Sequence, residues 1–274
     1  MVNWSKLLIV GFLANDTNII NDVFKVMPGG AAYFVSLVAS LYIKKIGLVT
    51  RIGRDFNEKT LPMGILKTGI KKIKGGKTFR SIQTYHNEKD FTDRDIKIIW
   101  GVAKFLTPKD IPQNWLTSAK WVHVATMPPA HQAKFVKFLK QKAPQAKMSI
   151  DTDLVFLKDK KLQKIIKENF KQADLVFVNR REYEILKPFL DKLKRVVVKL
   201  DEAGAKYLEK GKIICQVKAK KVKVKEVTGA GDIFAGAFIV NQYLGKPIKQ
   251  CLKTATDLAT KSVKQEGVEH LFWS

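Results

Sequence analysis

The chain reads as an α/β protein, a mostly parallel sheet with helices on both faces, and three observations carry that reading. Short apolar runs recur at 7–10, 46–50, 121–125, 148–150, 175–178 and 196–198. Stretches of helical period, at 31–42, 162–170 and 232–244, alternate with them. Polar residues such as Asp151 and Asn179 stand directly after the runs. Continuous apolar strands alternating with amphipathic helices are what a parallel sheet buried on both faces requires. Sheets of this kind place their sites at the carboxyl ends of the strands.

The first run, 7–10, stops at Gly11 and is too short for a signal sequence, and no small-residue cleavage site follows it. No stretch of about 18 apolar residues exists to span a membrane. Two cysteines, Cys215 and Cys251, cannot make a disulfide framework and suit a reducing compartment, so a cytoplasmic location is expected. At 274 residues the chain can bury one large core, and a single domain over 1–274 is expected. One segment, 78–100, breaks the alternation. It reads as a hairpin, 78–85 against 96–100, around the polar tip His86-Asn-Glu-Lys-Asp90, and is expected to cover a pocket as a small β lid. An exposed edge on that lid invites a homodimer.

The 50 Lys and Arg outweigh the 25 Asp and Glu, for a formal charge of +25. These lysines are spread along the chain, without a zinc finger, a basic zipper or an aromatic RNA-binding signature. Neither a specific nucleic acid nor a membrane is expected as a partner. The four histidines have no metal-ligand spacing, and no Gly-x-Ser-x-Gly elbow exists. Phe272 and Trp273 read as packing residues.

The sharpest local signal is Thr228-Gly-Ala-Gly-Asp232-Ile-Phe-Ala-Gly236-Ala-Phe, with a lysine/valine run at 218–225 read as the strand leading in. Gly229 and Gly231 permit a tight turn with several N–H groups converging at a helix start, which together with the helix dipole makes an anion site. A carboxylate on the rim of such a site fits a base that takes a proton from a hydroxyl attacking a phosphoryl group. The plainer alternative is a turn whose glycines only permit the bend and whose Asp232 only caps a helix. The motif is not a dinucleotide fingerprint, because Phe234 stands where the third glycine would, and no Gly-Lys-Ser/Thr makes it a Walker loop.

That motif resembles the C-terminal signature of ribokinase-like (phosphofructokinase B-type) carbohydrate kinases. Pro28-Gly-Gly-Ala-Ala32 opening a helix, followed by Gly47-Leu-Val-Thr-Arg-Ile-Gly53-Arg-Asp55, resembles the family's N-terminal signature. Gly11 with Asp16 resembles its first substrate loop, and Asn179-Arg-Arg-Glu182 its Asn-x-x-Glu motif. The four matches come in family order over nearly the whole chain. The resemblance implies a three-layer α/β/α sandwich with a small β lid, and Mg²⁺-dependent transfer of the terminal phosphoryl of ATP to a hydroxyl of a sugar or polyol. It implies that Asp232 is the base and that the backbone of Gly229, Ala230 and Gly231 is the anion hole. Asp16, Gly29 and Gly30 would bind acceptor hydroxyls. Asn179 and Glu182 would act on Mg²⁺ and phosphate through water.

Nucleotide contacts fall to Lys199, Asp201, Gly204 and Thr228. The first two stand where the family carries Thr/Ser and Gly, so a point-charge ligand replaces a hydroxyl while Asp201 repels the same anion. The run Gly29-Gly-Ala-Ala-Tyr-Phe34 and the short loop between Asp16 and Gly29 look like the compact inositol-kinase-like branch. Asp151-Thr-Asp153 resembles the family's strand-end Asp, half structural and half substrate-lining. Two alternatives stand beside this reading: a nucleoside or vitamin-type kinase of the same fold, and a binding protein that kept the fold without turnover.

Overall fold

The computed structural model describes residues 6–86, 94–265 and 267–271. Most of the polar tip, 87–90, and Phe272 and Trp273 lie outside the described residues. Strand β1 (Leu7–Val10) leads into the hairpin β2 (Ala14–Ile20) and β3 (Val23–Gly29), then helix α1 (Ala31–Ser40) and β4 (Ile46–Gly53). The short β5 (Ile65–Leu66) and β6 (Ile70–Ile73) precede β7 (Arg80–Tyr85) and β8 (Arg94–Ile99). Strands and helices then alternate: α2 (Gln113–Ser118), β9 (Trp121–Val124), α3 (Pro129–Lys142), β10 (Lys147–Ile150), α4 (Lys160–Gln172), β11 (Leu175–Asn179), α5 (Arg180–Leu190) and β12 (Val196–Lys199). The hairpin β13 (Ala205–Glu209) and β14 (Lys212–Val217) follows, then helices α6 (Ala230–Tyr243) and α7 (Ile248–Ser262).

The main sheet runs β14-β13-β12-β11-β10-β9-β1-β4-β5, with β6 beside β4. Strands β12 through β5 are parallel, and only β13 and β14 run against their neighbours. One face buries Ile9, Phe177 and Val197 under Val35 of α1, Phe238 of α6 and Leu252 of α7. The other buries Val10, Val122 and Val176 under Phe135 of α3, Phe170 of α4 and Leu186 of α5. The result is a three-layer α/β/α arrangement. Among the described residues, no helix is long and apolar enough to cross a membrane.

A second sheet of four strands, β3-β2-β7-β8, lies beside this core. The β7–β8 hairpin expected over 78–100 is half of it. The other half is β2–β3, a segment the sequence reading takes as a substrate loop. Its two-residue turn, Asn21-Asp22, has both residues in the left-handed region at φ 47° and 61°. That backbone matches the twist of a tight hairpin and suits Asn and Asp. The run at 218–225 forms no strand. Lys220, Lys221, Lys223 and Val224 are all exposed, so the half-burial that holds a pleated segment to a sheet is missing.

The Gly47-to-Asp55 signature fixes the foot of the lid. Asp55 Oδ1 accepts the Thr78 N–H and the Thr78 hydroxyl, both at 2.8 Å, and Thr78 Oγ1 accepts the Gly53 N–H at 3.0 Å. A Cβ on Gly53 would come within 2.4 Å of the Gly76 carbonyl oxygen, so only glycine lets the end of β4 meet this segment. Arg51 grips Asp110 with Nε at 2.7 Å and Nη2 at 2.9 Å, and Lys71 adds a contact at 2.7 Å. Burial alone would raise the Asp110 carboxyl, but the Arg51 and Lys71 contacts outweigh it and hold it below the usual carboxylate range. Its contribution to stability is therefore present above the unfolded value of 3.8 and is lost as pH falls through the folded one. Asp110→Ala is expected to cost about 3 kcal/mol, the low end for a broken buried pair, because Arg51 keeps some solvent. Urea unfolding at neutral pH measures this, and a loss within about 0.5 kcal/mol, the range of an ordinary surface substitution, would contradict it.

Candidate active site

Three neighbouring strands, β10, β11 and β12, bring Asp151, Asn179 and Lys199 to one end of the sheet. Lys199 reaches across β11 to pair with Asp151, Nζ to Oδ2 at 2.8 Å, with the two side chains 16% and 2% exposed. Asp151 Oδ1 accepts the Thr152 N–H at 2.9 Å. Burial opposes the charge on Lys199, but Asp151 and Glu182 outweigh it and keep the ammonium protonated. Asn179 and Glu182 form a reciprocal cap on α5. Asn179 Oδ1 accepts the Glu182 N–H at 2.9 Å, and Glu182 Oε2 accepts the Asn179 N–H at 2.7 Å. Burial pushes the Glu182 carboxyl up to about 8, with Lys199 working against it and Asp151 adding to it.

Helix α6 presents its first turn to the same place. Gly229 is left-handed at φ 74°, and a Cβ there would come within 2.5 Å of the Phe34 ring. The phenylalanine of the Gly-Gly-Ala-Ala-Tyr-Phe run thus packs directly on the turn. Of the three amides expected in the anion hole, that of Ala230 is turned back onto the Val227 carbonyl at 3.1 Å. The N–H groups of Gly229 and Gly231 have no partner among the described residues. A Cβ on Gly231 would lie 3.4 Å from Lys199 Nζ, so the ammonium stands beside this residue. Asp232 is half-buried on the rim. Burial first, then the nearby Asp151, pushes its carboxyl up to about 7, with Lys199 opposing and Asp153 and Asp16 adding.

The lid supplies Asp16 from β2. Its Oδ2 accepts the Gly30 N–H at 3.3 Å, and a Cβ on Gly29 would come within 1.9 Å of the same oxygen. Gly29 and Gly30 are therefore the floor on which this carboxylate lies. Asp16 Oδ1 is buried with no hydrogen-bond partner among the described residues. Burial lifts the group to about 6, with the Gly30 and Ser81 N–H groups lowering it and Glu226 adding to the rise; among the described residues no N–H comes within full hydrogen-bond geometry of Oδ1. Two residues on, Asn18 Nδ2 donates to Glu226 Oε1 at 3.0 Å, and Glu226 Oε2 accepts the Gly267 N–H at 2.9 Å. Thr228 meets the Tyr85 hydroxyl of β7 at 3.4 Å. These contacts join the lid to the 226–232 loop.

Lys199 and Asp201 part company. Lys199 turns inward, whereas Asp201 is exposed in the 201–203 turn at φ 54°. Gly204 closes that turn at φ 95°, where a Cβ would meet the Val217 carbonyl oxygen at 2.0 Å. The sequence reading missed the Asp151–Lys199 pair, whose members are 48 residues apart with no pattern linking them. It also missed Asn18 and Glu226. Once 14–20 is recognised as a strand, Asn18 shares a face with Asp16. His123 is buried with Nδ1 at 3.0 Å from Ser149 Oγ, and burial, helped by Lys199, pushes its ring down to about 3. It is a neutral residue of the core.

A half-buried carboxyl, an unpaired amide near an ammonium, and a buried carboxylate oxygen from the second sheet thus converge on one end of the main sheet. The pfkB family carbohydrate kinase model matches residues 8–273. A cytidine kinase of Thermococcus kodakarensis is 30% identical over 95% of this chain and 97% of its own length. A nucleoside kinase of Methanothermobacter thermautotrophicus is 24% identical over 89% of this chain and 80% of its own. Among solved structures, an E. coli protein described as a ribokinase II, in complex with ATP and Mg²⁺, superposes with a TM-score of 0.80 at 20% identity, covering 96% of this chain and 94% of that one. The chain therefore belongs to the pfkB family of carbohydrate kinases, with the ribokinase-like fold and a phosphotransferase activity toward an alcohol group.

Proposed function

We propose that the chain is a nucleoside kinase, carrying the terminal phosphoryl of ATP to a hydroxyl of the ribosyl group with Asp232 as the base. The observation that carries this reading is Asp232 on the rim of a turn whose Gly231 amide is unpaired and whose neighbour is the Lys199 ammonium. The cytidine kinase relative, matched over nearly its full length, supports a nucleoside as acceptor over the sugar or polyol that the motifs alone imply. The buried, unpartnered Oδ1 of Asp16 supports a hydroxyl donor on the acceptor, since an acceptor atom left unmade in that setting is costly.

The acceptor lies on Gly29 and Gly30 with a hydroxyl donated to Asp16, under the lid that excludes water. Its reacting hydroxyl gives its proton to Asp232 as the new oxygen–phosphorus bond forms and the bond to the nucleotide's bridging oxygen breaks. The amides of Gly229 and Gly231 receive charge on the transferring group. Thr228 and the Gly204 turn flank the donor nucleotide. Among the described residues no three of His, Cys, Asp or Glu converge to cage a metal. That fits a hydrated Mg²⁺ held mainly by the nucleotide's phosphates, with Glu182 and Asn179 reaching it through water. When bound, the ion offsets phosphate charge. The free cysteines, Cys215 and Cys251, support a reducing, cytoplasmic setting. Exposed Val23, Phe24, Val26, Ile96 and Ile98 on the lid support pairing with a second copy.

Consumption of ATP with Mg²⁺ across a panel of ribonucleosides, free sugars and polyols tests the acceptor. Turnover of a nucleoside is expected. Turnover of a sugar or polyol with nucleosides ignored would move the reading to that alternative, and no turnover with any acceptor would leave a binding protein. On the best acceptor, kcat/KM is expected to rise about tenfold per pH unit up to about 7, where the Asp232 carboxyl titrates, and then to level. Asp232→Asn is expected to lower kcat by at least about 10², and near-native turnover would remove Asp232 from the role of base.

A further inference from the structure

We propose that Lys199 is a catalytic residue, its ammonium completing the anion hole beside Gly231 and binding the phosphoryl group in transfer, while Asp151 holds it in position. The proposal rests on the kinase reading and deepens it. It also gives Lys199 a different duty from its sequence-based one, which was to meet the donor nucleotide's phosphates as a point charge while Asp201 repelled the same anion.

Three observations carry it. The first is direction. Lys199 ends β12, yet its side chain leaves the exposed turn that holds Asp201 and runs inward until Nζ stands 3.4 Å from where a Gly231 Cβ would be. The second is spare capacity. An ammonium has three donors. One goes to Asp151 Oδ2 at 2.8 Å, and Lys199 has no other hydrogen-bond partner among the described residues. At a position 16% exposed, the other two donors meet no group among the described residues and are open to an incoming anion. The third is what surrounds it. The Gly231 N–H is unpaired, and Ala230, the middle amide of the turn, is occupied by the Val227 carbonyl. The turn offers fewer amides than its sequence implies, and a cation stands beside Gly231.

The chemistry follows from that arrangement. As the acceptor oxygen bonds to phosphorus and the bridging oxygen of the nucleotide leaves, negative charge is spread over the three equatorial oxygens of the phosphoryl group. Lys199 keeps its proton throughout and meets that charge. The proton of the acceptor hydroxyl goes to Asp232, and the electron pair of the broken bond goes to the leaving nucleotide. Asp151 fixes Nζ from the far side. The ammonium therefore need not reorganise when the charge develops, which is the condition for electrostatic stabilisation to lower a barrier.

Lys199→Met leaves Asp151 buried without its cation, so it is made alone and together with Asp151→Asn, a pair that removes both charges and keeps the interior neutral. Each protein is titrated with MgADP, and with MgADP plus fluoroaluminate, a mimic of the phosphoryl group in flight. Kinetics on the best acceptor are run in parallel. Wild type is expected to bind MgADP with fluoroaluminate about 10² times more tightly than MgADP alone, the low end for a transition-state mimic. Both variants are expected to lose that gain, while their MgADP affinity stays within about threefold and kcat falls by about 10²–10³, the size of a lost anion-hole donor.

A native fluoroaluminate gain in the folded double variant would overturn the proposal. So would a raised KM for the nucleotide with kcat held, which would return Lys199 to the donor site. Wild type that binds MgADP but shows no fluoroaluminate gain would overturn it as well. Failure of wild type to bind MgADP at all would instead bring down the kinase reading itself.

Discussion

Asp151, Glu182 and Asp232 crowd one end of the sheet, and the Lys199 ammonium is the cation that opposes the protonation of all three. Without it, burial would push these carboxyls higher still, because charged groups removed from water are tolerated only when paired. The pair it makes with Asp151 spans β11 and so ties three neighbouring strands together at the level of the chemistry. It also sets the directions of the other groups. Lys199 pulls Glu182 and Asp232 down, while Asp151 pushes both up, and burial leaves them near 8 and 7. Burial and neighbouring charge together bring Asp232 toward neutral pH, which suits the proposed role of a general base.

The lid is bound to that chemistry at both ends. At its foot, Asp55, Thr78 and Gly53 fasten β7 to the end of β4. At its inner face, Asn18 and Tyr85 touch Glu226 and Thr228, in the loop that continues into the Gly229 turn and α6. Asp16 rides on the same strand as Asn18. On the proposed reading, an acceptor that satisfies Asp16 would press on the strand that contacts the 226–228 loop, linking acceptor recognition to the Gly229 turn.

Much of this was legible in the sequence, for identifiable reasons. The six apolar runs became strands because a parallel sheet buried on both faces demands short continuous hydrophobic segments, whereas the longer run at 233–240, opened by the Gly229 turn, forms helix α6. Gly229 was readable because the turn needs a left-handed residue, and Phe34 on top of it confirms that only glycine fits. The β2–β3 hairpin has a local signal in its Asn-Asp turn and flanking β-branched residues, but the match at Gly11 and Asp16 points to a loop there and masks it. The lysine/valine run at 218–225 misled in the opposite direction: alternation predicts a strand only where one face can be buried. The Lys199–Asp151 pair had no local signal at all. Adjacency of β10, β11 and β12 brings residues 48 apart in sequence to 2.8 Å, and spacing along one chain does not encode that.

The account stands on the claim that burial and the surrounding charges hold the Asp232 carboxyl near neutrality while Lys199 stays charged beside it. Carbon-13 NMR of the side-chain carboxyls, followed over pH and assigned by loss of one resonance in Asp232→Asn, measures this directly. A carboxyl titrating near 7 in wild type, and moving upward when Lys199 is replaced by Met, is the predicted result. An Asp232 carboxyl that titrates near 3.8, the ordinary value, and is indifferent to Lys199 would contradict the account at its centre.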